Sequence, residues 1–168
     1  DDASKVVGMD CGADAYIEKP FSVQYLEACI NNLVSLRAML RNKYSTSPLM
    51  PLTSVANNNT DTNFLKNMTD IIEAHFSDSN LSVDFLTEQM GISRSSLYNK
   101  IKVLTDKTPN ELIQLMRLKK AAQLLRENKY RINEICYMVG FNNPSYFSKC
   151  FYKQFGMKPG EFAAQSGE

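Results

Sequence analysis

The sequence lacks most of the residue patterns that catalysis and metal binding require. Its 168 residues include no tryptophan, and the four cysteines, Cys11, Cys29, Cys136 and Cys150, form no C-x-x-C pair, which disfavours a zinc site or a disulfide framework. The single histidine, His75, is accompanied by no matching nucleophile, Gly-rich phosphate loop or paired carboxylates. No apolar run is long enough to span a bilayer. We therefore expect a cytoplasmic protein that is not an enzyme, binds no metal or cofactor and makes no membrane contact.

The charge of the chain is nearly balanced but unevenly distributed. The net charge is +1, whereas residues 93–153 contain twelve Lys and Arg against four Asp and Glu, a net charge of +8. A basic segment of this kind suits binding to a phosphate backbone. A solvated lysine face produces the same composition, so charge alone does not decide between the two interpretations.

The sequence divides into two parts of unequal size. Residues 44–62 contain two prolines, an Asn triplet and no helical or strand periodicity, which predicts a linker or a long loop. The N-terminal piece, residues 1–43, is too small to hold a core of its own. The C-terminal piece, residues 63–168, has the size of an ordinary domain.

Cap and turn residues divide the C-terminal domain into helices. Thr62, Ser82 and Ser93 are predicted to cap three successive helices, and Gly91 supplies the turn between the last two. Residues 82–104 therefore read as a helix-turn-helix unit. Thr108 then begins a long helix over residues 109–128. The apolar residues expected to face the core are Leu65, Met68, Ile71, Ile72, Phe76, Val83, Leu86, Met90, Leu97, Ile101, Leu104, Leu112, Leu115, Met116, Leu118, Ala122 and Leu125.

The helix-turn-helix pattern occurs a second time. Gly140 lies 49 positions after Gly91, and one inserted residue in the second turn restores the match of the apolar positions that follow. The matched positions are Ile132, Ile135 and Val139 before the turn, and Phe147 and Phe151 after it. Residues 131–155 are thus a second unit, because two independent matches at one offset are stronger than any single motif. The expected fold is mainly α, with two helix-turn-helix subdomains joined by a long helix.

The second helix of such a unit lies in the major groove of double-stranded DNA, with its N-terminal residues near base edges. The polar outer faces of the two second helices are formed by Ser93, Arg94, Ser95, Ser96, Tyr98 and Asn99, and by Asn143, Ser145, Ser148 and Lys149. Asn99 and Lys149 are the predicted base readers. Ser93 and Asn142, at helix N-termini, and the side chains of Lys100, Lys102 and Lys153 are predicted to contact phosphate. The long helix can hold the two readers about one DNA turn, roughly 34 Å, apart.

Two stretches carry a family resemblance. GFNNPSYFSKCFYKQFGMKPGEF, residues 140–162, and the first unit with its long helix resemble the AraC family of transcription regulators over residues 64–163. The resemblance implies sequence-specific DNA binding, with readers at Ser95, Tyr98, Asn99, Pro144, Ser145, Ser148 and Lys149. Two departures occur, since Met157 and Lys158 replace the usual Thr or Ser before the proline, and Ala163 stands where Arg is common. Both lie away from the reader positions.

The N-terminal piece resembles the end of a response-regulator receiver domain. The stretch GADAYIEKPF, residues 12–21, predicts a short buried strand at residues 15–17 and a Lys-Pro break, and an amphipathic helix carrying Leu26, Ile30, Leu33 and Leu40 follows. The resemblance implies that Lys19 contacts a phosphoryl group and that the Lys19–Pro20 bond is cis. An ordinary strand-to-helix turn is the alternative interpretation. The fold class accordingly includes a partial α/β receiver remnant at the N-terminus.

The phosphorylation site of a receiver lies upstream of this motif, and Asp1, Asp2, Asp10 and Asp14 do not occupy such positions. We therefore expect a fragment of a longer two-component regulator, including a hybrid one with a sensor kinase upstream. The chain would then be the output domain of a phosphorelay. The alternative is a protein interaction or dimerisation module of a hybrid sensor kinase, and a homodimer through the N-terminal helix fits either interpretation.

Overall fold

The fold is mainly helical. A computed structural model describes residues 6–8, 13–78 and 80–165, and none of these residues forms a strand. From Val23 to Gln165 the helices are, in order, α1 Val23–Thr46, α2 Asn59–Ala74, α3 Val83–Met90, α4 Arg94–Thr105, α5 Pro109–Glu127, α6 Ile132–Met138, α7 Pro144–Phe155 and α8 Pro159–Gln165. A short 3-10 helix, Leu52–Val55, lies between α1 and α2. Within the described ranges, no helix has the length and apolar character needed to cross a membrane.

Most helices of the tandem units begin at the predicted cap residues. The Ser82 hydroxyl accepts a hydrogen bond from a backbone N–H of α3 at 3.2 Å, and the Ser93 hydroxyl does the same for α4 at 3.2 Å. Thr108 and Glu111 form a reciprocal capping box at the start of α5. Gly91 ends α3 with φ at +64°, a conformation that favours glycine because it has no Cβ. The two helices and the glycine turn predicted for the first unit are therefore present in the structure.

The first helix of the C-terminal domain begins earlier than predicted. Asn58, and not Thr62, caps α2, since its side-chain oxygen accepts the Asp61 N–H at 2.8 Å. The Thr62 hydroxyl donates to the Asn58 carbonyl at 3.0 Å from within the first helical turn. Asn ranks above Thr as a capping residue, which explains why the helix extends back to it.

The long helix α5 contributes to two separate cores. Its first half, up to Met116, packs with α2, α3 and α4 in one cluster of buried side chains, and its second half, from Leu118, packs with α6 and α7 in another. Leu97 is the buried centre of the first cluster, and Phe147 occupies the matching position in the second. Phe155 packs against both clusters. Each helix-turn-helix unit therefore has its own hydrophobic core on one shared helix.

Residues 44–62, predicted to be a linker or a long loop, are packed against the first unit. Tyr44 is buried, and Leu52 and Val55 of the 3-10 helix are buried in the core of the first unit. Helix α1 itself continues to Thr46, and α2 begins within the same stretch. This packing was not predicted because the contacts are tertiary, so no periodicity within the segment reveals them.

The described residues of the N-terminal piece form helix but no strand. The strand predicted at residues 15–17 is wrong, since Ala15 and Tyr16 are exposed and the chain there has no regular secondary structure. A strand needs a neighbouring strand to satisfy its backbone groups, and the described residues supply none. Asp14 instead forms an ion pair with Arg37 of α1 at 2.5 Å. The Lys19–Pro20 peptide bond is cis, as predicted.

Candidate nucleic-acid interface

Helix α4 presents a polar face above a fully buried one. Its side chains Leu97 and Ile101 are completely buried in the first core, and they fix the rotation of the helix. The predicted reader residues on the opposite side are mostly exposed: Arg94, Ser95, Ser96, Asn99 and Lys102, with Tyr98 half-buried. The two buried residues are four positions apart and thus lie on one side of the helix, so the polar residues of the first turns face outward.

Three of the predicted contacts on α4 already have partners within the protein. The Ser93 side chain caps the helix. Arg94 Nη1 lies 2.8 Å from Asp84 Oδ1, and Lys102 Nζ lies 2.8 Å from Asp106 Oδ1. The hydrogen bond from Lys102 lowers the pKa of the Asp106 carboxyl. Both ion pairs are solvent-exposed and thus weak, so an incoming anion can compete for either cation.

Helix α7 has the same arrangement in the second unit. Phe147 and Phe151 are buried, while Ser145 and Lys149 are exposed and Ser148 is half-buried. Pro144 is the first residue of the helix, which suits the fixed φ of proline. The second unit therefore presents its predicted reader face outward as well.

The N-terminus of α7 lies one residue later than the predicted phosphate contact implies. Asn143 is the cap, and its side-chain oxygen accepts the Tyr146 N–H at 2.9 Å. Asn142 precedes the cap and is exposed in the turn that follows α6, so it is not itself the helix-terminal residue. A proline at the first helical position requires the cap to be Asn143, which is the reason for the correction.

A groove between the two units carries three lysines. Lys107, Lys149 and Lys153 line a cavity of about 490 Å³ between α5 and α7. The carboxylate of Glu111 in the same groove is engaged by the Thr108 N–H at 2.8 Å, and this hydrogen bond lowers its pKa. From the sequence, Lys107 was predicted only to belong to a basic segment. Its place beside the second reader follows from packing between the units, for which no local signal exists.

The C-terminal end of α1 is bonded to both units. Arg41 donates to the Leu104 carbonyl at 3.3 Å and to the Val103 carbonyl, at the end of the first reader helix. Gln154 Nε2, on the second reader helix, donates to the Ser45 carbonyl at 2.7 Å. The end of α1 therefore contacts the C-terminal half of each reader helix.

Lys119 of the long helix binds the residues that follow α1. Its Nζ donates to the Ser47 carbonyl at 2.6 Å and to the Met50 carbonyl at 3.1 Å, and it lies 4.0 Å from the Tyr44 ring centroid. Burial lowers the pKa of Lys119 to about 8. Lys119 belongs to the basic segment that the sequence predicts to suit a phosphate backbone. Only 7% of its surface is exposed, however, so its charge is not accessible to DNA.

The remaining candidate groups are dispersed. Lys19 is exposed in the N-terminal piece, and its predicted role as a phosphoryl contact stays a prediction. Cys29, Cys136 and Cys150 are free thiols, while Cys11 lies outside the described residues. Among the residues that the structure describes, no three His, Cys, Asp or Glu side chains are grouped as metal ligands. His75 is bonded through Nδ1 to the Ile71 carbonyl at 2.8 Å, at the end of α2.

Comparison with known proteins places this geometry in a recognised class. Residues 86–165 match the family model described as a helix-turn-helix domain. The chain is 40% identical to Histidine kinase P4 of Formosa agariphila over 98% of its own length, but it spans only 12% of that relative.

Two solved structures resemble the C-terminal part. An AraC-type transcriptional regulator from Chromobacterium violaceum is 27% identical, with a TM-score of 0.61, covering 66% of this chain and 98% of that one. The C-terminal domain of AraT, a response regulator from Geobacillus stearothermophilus, is 27% identical, with a TM-score of 0.53, covering 70% of this chain and 87% of that one. These similarities agree with the DNA binding that the sequence predicts. The tandem units of this chain therefore resemble an AraC-type helix-turn-helix DNA-binding domain.

Proposed function

We propose that this chain is a sequence-specific transcription regulator whose two reader helices, α4 and α7, enter consecutive major grooves of one duplex. The observation that carries this proposal is the repeated geometry: two polar faces stand over two separate cores on one helix. Helix α5 has 19 residues and is thus about 28 Å long, close to one turn of DNA. Binding to chromosomal DNA would place this segment in the cytoplasm.

The predicted contacts fall into two groups. Asn99 and Lys149 read base edges, because a carboxamide pairs with adenine and an ammonium donates to guanine. Ser95, Tyr98, Pro144, Ser145 and Ser148 border them on the same faces. Ser93, Arg94, Ser96, Lys102, Asn142, Asn143 and Lys153 lie at the helix ends and edges, where contacts to phosphate position the protein without reading sequence.

The test is the double variant Asn99→Ala with Lys149→Ala. A gel-shift panel on duplexes selected from a random pool by the wild-type chain should show that the sequence preference is lost, while non-specific binding at low salt persists. The matched control is Asn63→Ala with Lys66→Ala, which removes the same two residue types from exposed positions on α2. An unchanged preference in the reader variant contradicts the assignment of these two residues.

For the N-terminal piece, the proposal is that residues 1–43 are the C-terminal part of a receiver domain in a longer two-component protein. The Lys-Pro motif and the similarity to a histidine kinase over nearly the whole chain support it. The test is phosphotransfer: the parent protein, treated with a phosphodonor such as acetyl phosphate, should change its DNA affinity, and Lys19→Ala should remove that response. A response that persists in the Lys19 variant contradicts the role of Lys19.

A second candidate function is dimerisation through α1. The observation that favours it is the exposure of large apolar side chains along this helix, including Val23 at 68%, Val34 at 62% and Met39 at 65%. Sedimentation equilibrium of wild type and of Val34→Glu distinguishes a homodimer from a monomer. DNA binding that weakens steeply with salt, in a chain that stays monomeric, favours the regulator without the dimer.

A further inference from the structure

Arg117 lies where the two units meet on the shared helix. Its neighbours Met116 and Leu118 belong to the cores of the first and the second unit, respectively. The guanidinium packs beneath Gly140, in the turn after α6, since a Cβ built on that glycine would lie 3.0 Å from both Nε and Cζ. Arg117 is therefore enclosed by parts of both units.

The guanidinium has no partner among the described residues. Its Nε is buried and makes no hydrogen bond, and no carboxylate of the described ranges pairs with it. Burial lowers the pKa of Arg117. A partly buried cation without a partner is unfavourable, and such groups are almost always paired in proteins.

Lys119, two positions later on the same helix, shows what a satisfied cation looks like in this fold. It donates to two carbonyls and lies over an aromatic ring. The fold thus supplies partners for Lys119, a buried cation of α5, and supplies none among the described residues for the partly buried Arg117. The difference indicates that the partner of Arg117 is external to this chain.

Arg117 borders an open cavity that suits an anion. The cavity has a volume of about 390 Å³ and is lined by Asn110, Gln114 and Asn142 as well as by the start of α7, with no carboxylate among its lining residues. Carboxamides donate hydrogen bonds, and the start of the 12-residue helix α7 is the positive end of its dipole.

We propose that Arg117 donates to a phosphate oxygen of the DNA backbone in this cavity, at the junction of the two units, together with the side chain of Asn142. The inference rests on the proposed function, because a duplex that passes from one reader to the next must carry its backbone across this junction. It adds a contact from the long helix, in which no individual DNA-contacting residue was predicted from the sequence. The contact fixes where the backbone lies between the two readers.

The first experiment measures DNA affinity against salt for wild type, Arg117→Met and Lys119→Met, by fluorescence anisotropy with a duplex selected by the wild-type chain. Arg117→Met should weaken binding about tenfold at low salt. It should also reduce the slope of log affinity against log salt by about 0.9, which corresponds to one phosphate. Its thermal stability should be equal to or above that of wild type, because an unpaired cation is removed.

Lys119→Met is the matched control. It removes a cation of similar burial from the same helix, so it should lower thermal stability while leaving the salt slope unchanged. A decrease in stability with an unchanged slope in Arg117→Met, or its failure to fold, identifies the arginine as a structural residue and overturns the proposal. Wild-type binding that does not depend on salt overturns the proposed function as well, which separates the two failures.

The second experiment locates the phosphate. Neutral methylphosphonates are placed one at a time along the same duplex. One position should weaken binding by wild type but not weaken binding by Arg117→Met further, as expected of a coupled pair. If no position shows this coupling, while millimolar inorganic phosphate stabilises wild type and not the variant, the site holds a free anion and the DNA contact is refuted.

Discussion

Arg94 and Asp84 join the two helices of the first helix-turn-helix unit by an ion pair of 2.8 Å. Arg94 is in the first turn of the reader helix, and Asp84 is in the first turn of the preceding one. The interaction of Arg94 with the Tyr98 side chain is the largest cause of the raised pKa of Arg94, and the charge of Asp84 is the second. In the free protein the arginine is thus held by a carboxylate that would also face the DNA phosphates.

Asp84→Asn should therefore strengthen DNA binding. Removing the carboxylate releases Arg94 and eliminates a repulsive charge, so affinity should rise about two- to fivefold at low salt. Stability should change by no more than about 0.5 kcal/mol, since the pair is exposed. Anisotropy titrations and urea denaturation measure the two quantities. Weaker binding by this variant would show that Asp84 orients Arg94 and does not compete for it.

The two turn glycines should differ in their tolerance of a side chain. Both have positive φ, but a Cβ on Gly91 meets nothing within 4 Å, whereas one on Gly140 would lie 2.0 Å from the Phe76 carbonyl oxygen. Gly91→Ala should cost about 1–2 kcal/mol through its backbone conformation alone. Gly140→Ala should cost about 4 kcal/mol, because a main-chain atom blocks the new group. Equal losses in urea denaturation would contradict the close approach.

The separate cores predict separate sensitivities. Leu97→Ala should destabilise the first unit by about 2–5 kcal/mol, and Phe147→Ala the second by about 3–5 kcal/mol. Val103→Ala is the control, since that side chain is 61% exposed on the same helix as Leu97. Amide hydrogen exchange resolves the units, and faster exchange should be confined to the mutated one, with α5 affected in the corresponding half.

Lys119 predicts a pH dependence of stability. Its pKa is lowered by burial to about 8, so between that pH and its ordinary value the unfolded chain binds a proton that the folded chain lacks. Stability should consequently rise with pH from about 8 to 10, relative to Lys119→Met. Burial raises the pKa of Tyr44, which acts in the opposite direction above pH 10 and closes the window. A falling difference would mean that the Ser47 and Met50 carbonyls keep the ammonium charged.

The tandem units were predictable because their signals are local. Caps such as Ser93 and the apolar spacing of Leu97 and Ile101 act within one or two turns of a helix. The repeat then supported each unit with the other, through the match of Gly91 and Gly140. The faces of the candidate site follow from the same spacing, so most of the predicted reader residues lie on exposed faces.

The missed features depend on contacts between distant residues. The bond of Gln154 to the Ser45 carbonyl spans 109 positions, and that of Arg41 to the Val103 carbonyl spans 62. Both acceptors are main-chain carbonyls, so the side chains at these two positions do not indicate the contact. Arg117 and Lys119 look alike in a sequence, and only the packing around each of them distinguishes the cation with partners from the one without.

The hydrogen bonds that join residues 41–50 to the two units all end on main-chain oxygens. Ser45, Ser47 and Met50 contribute carbonyls, as do Val103 and Leu104 at the end of the first reader. Substitutions at these five acceptor positions leave the acceptor atom in place, whereas changes at Arg41, Lys119 or Gln154 remove the donor. Evolutionary drift in the acceptor residues is therefore compatible with an unchanged joint, and its mutational vulnerability is concentrated in three side chains.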